Sequence, residues 1–289
     1  MEARIANYYG KPVYHLTAGS IELDCLAEAG PRIVRLSYQG SPNLLAEVPQ
    51  ITTSTPFGDY HYMGGHRLWH APESMPRSYI PDEDGLSIYE LEDGIGLDGK
   101  TESATGIHKQ IEIHIQPERP IITLKHTLSN ESLWAVELSP WAITMLKLGG
   151  TAILPMLHPL NQNPLLPNRH IALWNYSHIN DPRLTLTDNY IFIKALAGLP
   201  PFKIGTFDQP GWIGYWNNGV FFRKRFAVFP EQLHPDHNSN AEIYCDEHFI
   251  ELESIAPLSK ISPGNSVTHI ENWEFTDQLS KEFLPLIQR

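Results

Sequence analysis

The chain of 289 residues is short of several things that mark common protein classes. It has two cysteines, Cys25 and Cys245, far apart and outside any paired motif. That count excludes a disulfide scaffold and fits a reducing compartment, so a cytoplasmic location is expected. Charged residues make up only 19%, and 33 acidic side chains outnumber 21 basic ones, for a net charge of -12. Nucleic-acid binding depends on Lys and Arg against phosphate, so no nucleic-acid partner is expected. The densest basic cluster, Arg223-Lys224-Arg225 after Phe221-Phe222, reads as part of a strand with a solvated edge. No apolar run approaches the ~18 residues of a membrane span, so no membrane association is expected. The Met1-Glu2-Ala3-Arg4 start lacks the apolar stretch of a signal peptide. Nucleotide chemistry is not expected either, and no GxSxG elbow suggests a serine hydrolase.

Long helical periodicity is also scarce. Short alternating runs take its place, separated by Gly, Pro, Asn and Asp. Ile21-Glu22-Leu23-Asp24-Cys25-Leu26 and Ile111-Glu112-Ile113-His114-Ile115 alternate at period two, as half-buried strands do. Ile121 to Leu128 ends at the turn cluster Ser129-Asn130-Glu131-Ser132, and Trp134 to Leu138 resumes the extended pattern, which predicts a hairpin. Further strands are predicted near 185–186, 190–193, 212–216, 219–228, 241–245, 249–255 and 266–275. The 24 prolines and 20 glycines supply turns and stop helices. Segments 82–105 and 161–168 read as long loops, and 277–287 is the one helical stretch, with Pro285 inside it. The pattern predicts an all-β sandwich of antiparallel strands with few short helices, as one domain over residues 1–289.

Three segments concentrate chemistry. Tyr60 to Glu73 places His66, Arg67, Trp69 and His70 after Gly64-Gly65; flat aromatic faces with fixed donors suit sugars, whose rings have an apolar face and many hydroxyls. The competing reading is a surface loop whose Trp fills the core. In Ile250-Glu251-Leu252-Glu253, both glutamates fall on one face of a strand, where each raises the other's proton affinity. That suits acid–base work, and equally a solvated edge strand. His234-Pro235-Asp236-His237 with Asp246-Glu247-His248 could suggest a metal, but the spacing is not that of a ligand pair on a helix; it reads as a polar loop, with no metal expected. Lys203, alone in apolar surroundings, could reach a substrate or extend off a loop, and Trp141 could be core or a ring platform.

In their order along the chain, these segments resemble the galactose mutarotase-like (aldose 1-epimerase-like) superfamily. The likeness runs from Ala29-Gly30-Pro31-Arg32-Ile33-Val34-Arg35-Leu36 and Asn43-Leu44-Leu45 through Gly64-Gly65-His66-Arg67 and Leu128-Ser129-Asn130-Glu131-Ser132. It closes at Ile250-Glu251-Leu252-Glu253 and Ser262-Pro263-Gly264-Asn265-Ser266. The resemblance implies a β-supersandwich with a concave sugar site. It implies Glu253 as base on the anomeric hydroxyl and Arg67 as a substrate contact. It also implies an Asn-His pair on the strand after the Asn-Glu-Ser turn, but Pro140-Trp141 stands there. By residue type, His66, His70 or Lys203 could replace that histidine as acid.

The reading is an aldose 1-epimerase-like isomerase acting at a sugar's anomeric centre. Glu253 and His66 would be catalytic, and Arg67, Trp69, His70, Trp141, Lys203 and Glu251 would bind a monomeric or oligomeric carbohydrate. No cofactor is expected, since proton transfers alone open a hemiacetal. The alternatives are a sugar-binding protein that lost the histidine and, less favoured, a glycoside lyase or hydrolase.

Overall fold

A computed structural model describes residues 2–116, 118–156, 165 and 167–287. The chain is 54% strand and 3% helix, an all-β sandwich built from large antiparallel sheets. Alternation along the strands is the reason. In Ile107–Gln116, Ile107, Ile111, Ile113 and Ile115 are buried; in its partner Ile121–Asn130, Ile122, Leu124, His126 and Leu128 are. One face of each sheet therefore carries a continuous apolar surface, and burying it drives the layering.

The eleven-stranded sheet runs in the order Glu2–Tyr8, Lys11–Ala18, Ile21–Leu26, Arg32–Tyr38, His66–Ala71, Val136–Leu146, Ile250–Ile255, Ala241–Cys245, Phe202–Thr206 and Ala172–Leu173, with Ser259–Ile261 beside Val136–Leu146. The ten-stranded sheet opposite it includes Ile121–Asn130, Val220–Phe226 and Ser266–Thr276. Between them lies the main core, with Leu36, Leu68, Leu146 and Leu252 from one sheet and Ile111, Leu124, Phe222 and Trp273 from the other. A two-stranded ribbon, Glu47–Thr55 with Gly58–Gly64, leads into the central strand His66–Ala71.

That central strand and Ile250–Ile255 are buried along their whole length. Alternate side chains face the core, and the others face a second aromatic cluster of Tyr60, Trp69, Trp141, Ile143 and Ile255 on the far side of the sheet. The Gly64-Gly65 turn allows this approach. Both glycines have positive φ (96° and 72°), and a Cβ on either would strike the backbone carbonyl of Ala46 or Ile33.

Several expectations need correction. The segment 121–138 is not a hairpin: Ile121–Asn130 and Val136–Leu146 belong to different sheets. The chain crosses between layers there, and the Asn130 side chain ties the crossing by donating to the carbonyls of Trp134 and Ile261. The supposed loop at 82–105 holds two paired strands, Ser87–Leu91 and Gly94–Asp98, with Glu92-Asp93 as their turn. The predicted helix at 277–287 shrinks to Leu284–Ile287. Of the loop at 161–168, residues 161–164 and 166 lie outside the described residues.

Gly94-Ile95-Gly96-Leu97-Asp98-Gly99-Lys100-Thr101 has the GxxxxGK[ST] spacing of a phosphate-binding loop, which the expectation of no nucleotide chemistry overlooked. In the fold its first five residues form a strand hydrogen-bonded on both sides, and residues 99–102 carry no helix. A phosphate loop needs a helix N-terminus behind it, and none is present at 99–102. Gly94 and Gly96 are there for packing, since a Cβ would strike Ile113 O or the Tyr89 ring. Among the described residues, no helix is long and apolar enough to cross a membrane.

Candidate functional site

Strand parity sorts the predicted site residues into two groups. In register, Trp141 stands opposite Trp69, and Ile143 is flanked by Arg67 on one side and Glu253 on the other. Glu253 in turn faces Glu242, and Glu251 faces Tyr244. Arg67, Trp69, Trp141, Lys203 and Glu251 line one cleft of about 450 Å³. Its walls are completed by Ile51, Tyr62, Glu73, Tyr79, Tyr176 and Tyr244, and by Asp246, His248 and Phe249. Rings surrounding a few convergent charges are what a sugar-sized site needs.

Arg67 lies over Trp69, its guanidinium carbon 4.3 Å from the ring centroid, while Nη2 donates to Glu251 Oε1 at 3.0 Å. Trp69 is fixed in turn by donating to the Tyr60 hydroxyl at 3.0 Å, which also takes a 2.8 Å hydrogen bond from buried Arg32. Arg67 Nε and Nη1 are buried without a hydrogen-bond partner, so donor capacity remains on the guanidinium. Burial pushes the Glu251 carboxyl up to about 7; Arg67 opposes the rise and neighbouring Glu253 adds to it.

Lys203 is held on every side. Its Nζ lies 2.8 Å from Glu253 Oε2 and 2.8 Å from Glu242 Oε2, and 4.7 Å and 4.6 Å from the ring centroids of Trp141 and Trp174. Burial works against its charge, but the two carboxylates outweigh it and hold the ammonium well above its ordinary pKa. Burial raises Glu242 well above the carboxylate range, and Glu253 adds to the rise against Lys203. Burial beside a second carboxyl favours the protonated form of Glu242. Trp141 Nε1 donates to Glu253 Oε2 at 2.7 Å, and Glu253 Oε1 has no hydrogen-bond partner. Glu253 is fully buried beneath Trp141 and Lys203 rather than on the cleft surface.

His66 and His70, one position out of phase with Arg67 and Trp69, face away from the cleft. His66 is fully buried between the sheets, its Nδ1 2.9 Å from Thr144 Oγ1 and its Nε2 2.7 Å from His126 Nε2. His126 uses Nδ1 to donate to His269 O at 3.1 Å, so its Nε2 accepts and His66 Nε2 donates. Burial, with neighbouring His126, lowers His66 well below the usual imidazole range. His70 is also fully buried. Its Nδ1 accepts from Arg77 Nη1 at 2.6 Å, which leaves Nε2 to donate to Glu102 Oε2 at 3.2 Å. Neither imidazole reaches the cleft.

Among the described residues, one set has the spacing of metal ligands: atoms of His66, His126 and Glu271 lie within 4.8 Å of one another. Lys224 Nζ, 2.8 Å from Glu271 Oε1, already supplies the positive charge there, and also donates to the carbonyls of Ala142 and Leu252 at 3.0 Å each. A divalent ion would have to displace that ammonium, so the donor set does not fit a resident metal. The His234-Pro235-Asp236-His237 run forms a tight turn in which Asp236, His237 and Asn238 have φ of 51°, 59° and 66°.

Sequence reasoning missed Glu242, Glu73, Trp174 and the four cleft tyrosines. Glu242 and Tyr244 alternate within Ala241–Cys245, which places them on one face. Only the sheet order brings that strand against Ile250–Ile255.

No protein-family model matches the chain, and no curated protein matches it. Solved structures do. A galactose mutarotase-like protein from Lactobacillus casei superposes with a TM-score of 0.61 at 10% identity, covering 91% of this chain and 100% of that one. A galactose mutarotase-like protein from Clostridium acetobutylicum gives 0.52 at 8% identity, covering 96% and 99%. A TPR-domain containing protein from Parabacteroides distasonis gives 0.63 at 12% identity; the match covers 93% of this chain and 48% of that one, so this chain spans about half its length. The likeness at these identities is one of architecture: the chain has the galactose mutarotase-like fold.

Proposed function

We propose that the chain is a single carbohydrate-binding domain of a cytoplasmic protein, which takes an aldose into this cleft and acts at its anomeric centre as an aldose 1-epimerase-like isomerase. One observation carries the reading: a carboxyl poised near neutrality, Glu251, and an ammonium, Lys203, line the same aromatic-walled cleft. Of the three side chains considered as acid, Lys203 is the one that reaches the cleft. The names of the fold neighbours, galactose mutarotase-like, support a sugar as ligand.

Opening a hemiacetal needs one proton removed and one supplied. The Glu251 carboxylate takes the proton of the anomeric hydroxyl while the bond from the anomeric carbon to the ring oxygen breaks. Lys203 gives a proton to that oxygen as its negative charge develops, and protonated Glu242 returns one to Lys203. Reclosure on the other face of the aldehyde reverses each transfer and yields the other anomer. Trp69 and Trp141 offer ring faces to the sugar, and the free donors of Arg67 take hydroxyl oxygens. Glu253 acts behind them, anchoring Lys203 and Trp141.

Polarimetry on freshly dissolved α-glucose, α-galactose and other α-aldoses tests this. Mutarotation above the buffer rate is expected for at least one of them. Glu251→Gln and Lys203→Met should each lower the rate by about a hundredfold or more. No acceleration across the panel removes the isomerase. Binding without turnover is the second reading, favoured by the capping of Glu253; calorimetry would then show sugar binding that Glu253→Gln leaves in place.

A further inference from the structure

The charges of the cleft fall into two sets. Its cations are already paired: Arg67 Nη2 with Glu251 Oε1 at 3.0 Å, and Lys203 Nζ with Glu253 and Glu242 at 2.8 Å each. Two more carboxylates on the wall, Glu73 and Asp246, have no cationic partner among the described residues. Glu73 Oε1 accepts from the Tyr79 hydroxyl, and Asp246 accepts from the Tyr244 hydroxyl and from the backbone N–H groups of His248 and Phe249. The ligand therefore meets a wall whose unmatched charge is negative, set among tyrosine faces.

The charges of Arg67 and Lys203 are already matched by carboxylates, which leaves the unused N–H groups of Arg67 for neutral hydroxyls, and a phosphate or carboxylate on a sugar is repelled by Glu73 and Asp246. An ammonium is attracted by the same carboxylates and by the electron-rich ring faces beside them. We infer that the cleft selects an amino sugar, an aldose bearing a free ammonium group directed at the Glu73 and Asp246 wall, and excludes sugar phosphates and uronates. This rests on the sugar-binding reading above and adds the chemical class.

Calorimetric titration compares glucosamine and galactosamine with glucose and galactose, their N-acetyl derivatives, glucose 6-phosphate and glucuronate. The amino sugar should bind about fivefold more tightly than its neutral parent, the upper end for an ion pair open to solvent. N-acetylation should remove the gain, high salt should shrink it, and the two anionic sugars should not bind. Glu73→Gln, at an exposed position, should lower the ratio of amino-sugar to neutral-sugar affinity. Adding Asp246→Asn should abolish the gain. An amino sugar that binds no better than its parent, or an anionic sugar that binds as well, overturns the inference while the sugar-binding reading stands. If neutral, amino and anionic sugars all fail to bind, the sugar-binding reading falls and this inference with it.

Discussion

Trp141 Nε1 donates to Glu253 Oε2 at 2.7 Å, so an indole caps the carboxylate that the family resemblance makes the base. Lys203 takes the same oxygen from another side. The cap implies a stability cost if it is lost. Trp141→Phe keeps most of the ring volume but strips a buried carboxylate of one donor, a loss of about 1–3 kcal/mol. Urea denaturation should show the midpoint falling with an unchanged slope.

Glu251 gives the site a pH dependence of known sign. Its folded pKa, about 7, lies above the ordinary carboxyl value, so the folded state binds more protons than the unfolded chain between the two values. The Glu251 contribution favours the fold at lower pH and is lost as pH rises toward 7. Stability measured from pH 5 to pH 8 should decline in the parent protein relative to Glu251→Gln, with the curves separating above the ordinary carboxyl range.

The imidazoles between the sheets act in the opposite direction. Burial lowers His66, His126 and His269, the last to about 3, so the unfolded chain binds protons that the folded state refuses. Their contribution is complete above about pH 6.5, the ordinary imidazole value, and is lost as pH falls toward the folded values. Denaturation at pH 7, 6 and 5 should show a falling midpoint, less steep in His269→Gln.

Lys224 ties the back of the cleft floor. Its three donors go to Glu271 and to the carbonyls of Ala142 and Leu252, on the strands that carry Trp141 and Glu251. Lys224→Met leaves Glu271 buried without its cation and should cost about 3–5 kcal/mol. Lys224→Met with Glu271→Gln removes both charges and should recover much of that loss. A double variant as unstable as the single one would contradict the pairing.

Much of the architecture was legible because alternation is a local signal. Ile21–Leu26 and Ala241–Cys245 coincide with the segments read from sequence. The hairpin at 121–138 was misread because a crossing between sheets and a tight turn use the same Asn and Ser chemistry. At the site, His66 and Arg67 were grouped as neighbours, although consecutive strand residues face opposite sides of a sheet. No strand was read within Tyr60 to Glu73, which hid that parity; the strand His66–Ala71 sends Arg67 to the cleft and His66 to the interior. Glu242 was not legible at all, because its place beside Glu253 depends on sheet order.

The ring of Trp141 lies 5.5 Å from that of Trp69, tilted by 72°, and both indoles line the cleft. Two chromophores at that distance and angle couple, and a guest that stacks on either one alters the coupling. The protein therefore carries its own optical probe of occupancy. Near-ultraviolet circular dichroism and tryptophan emission should both respond to a bound ring, with no label attached.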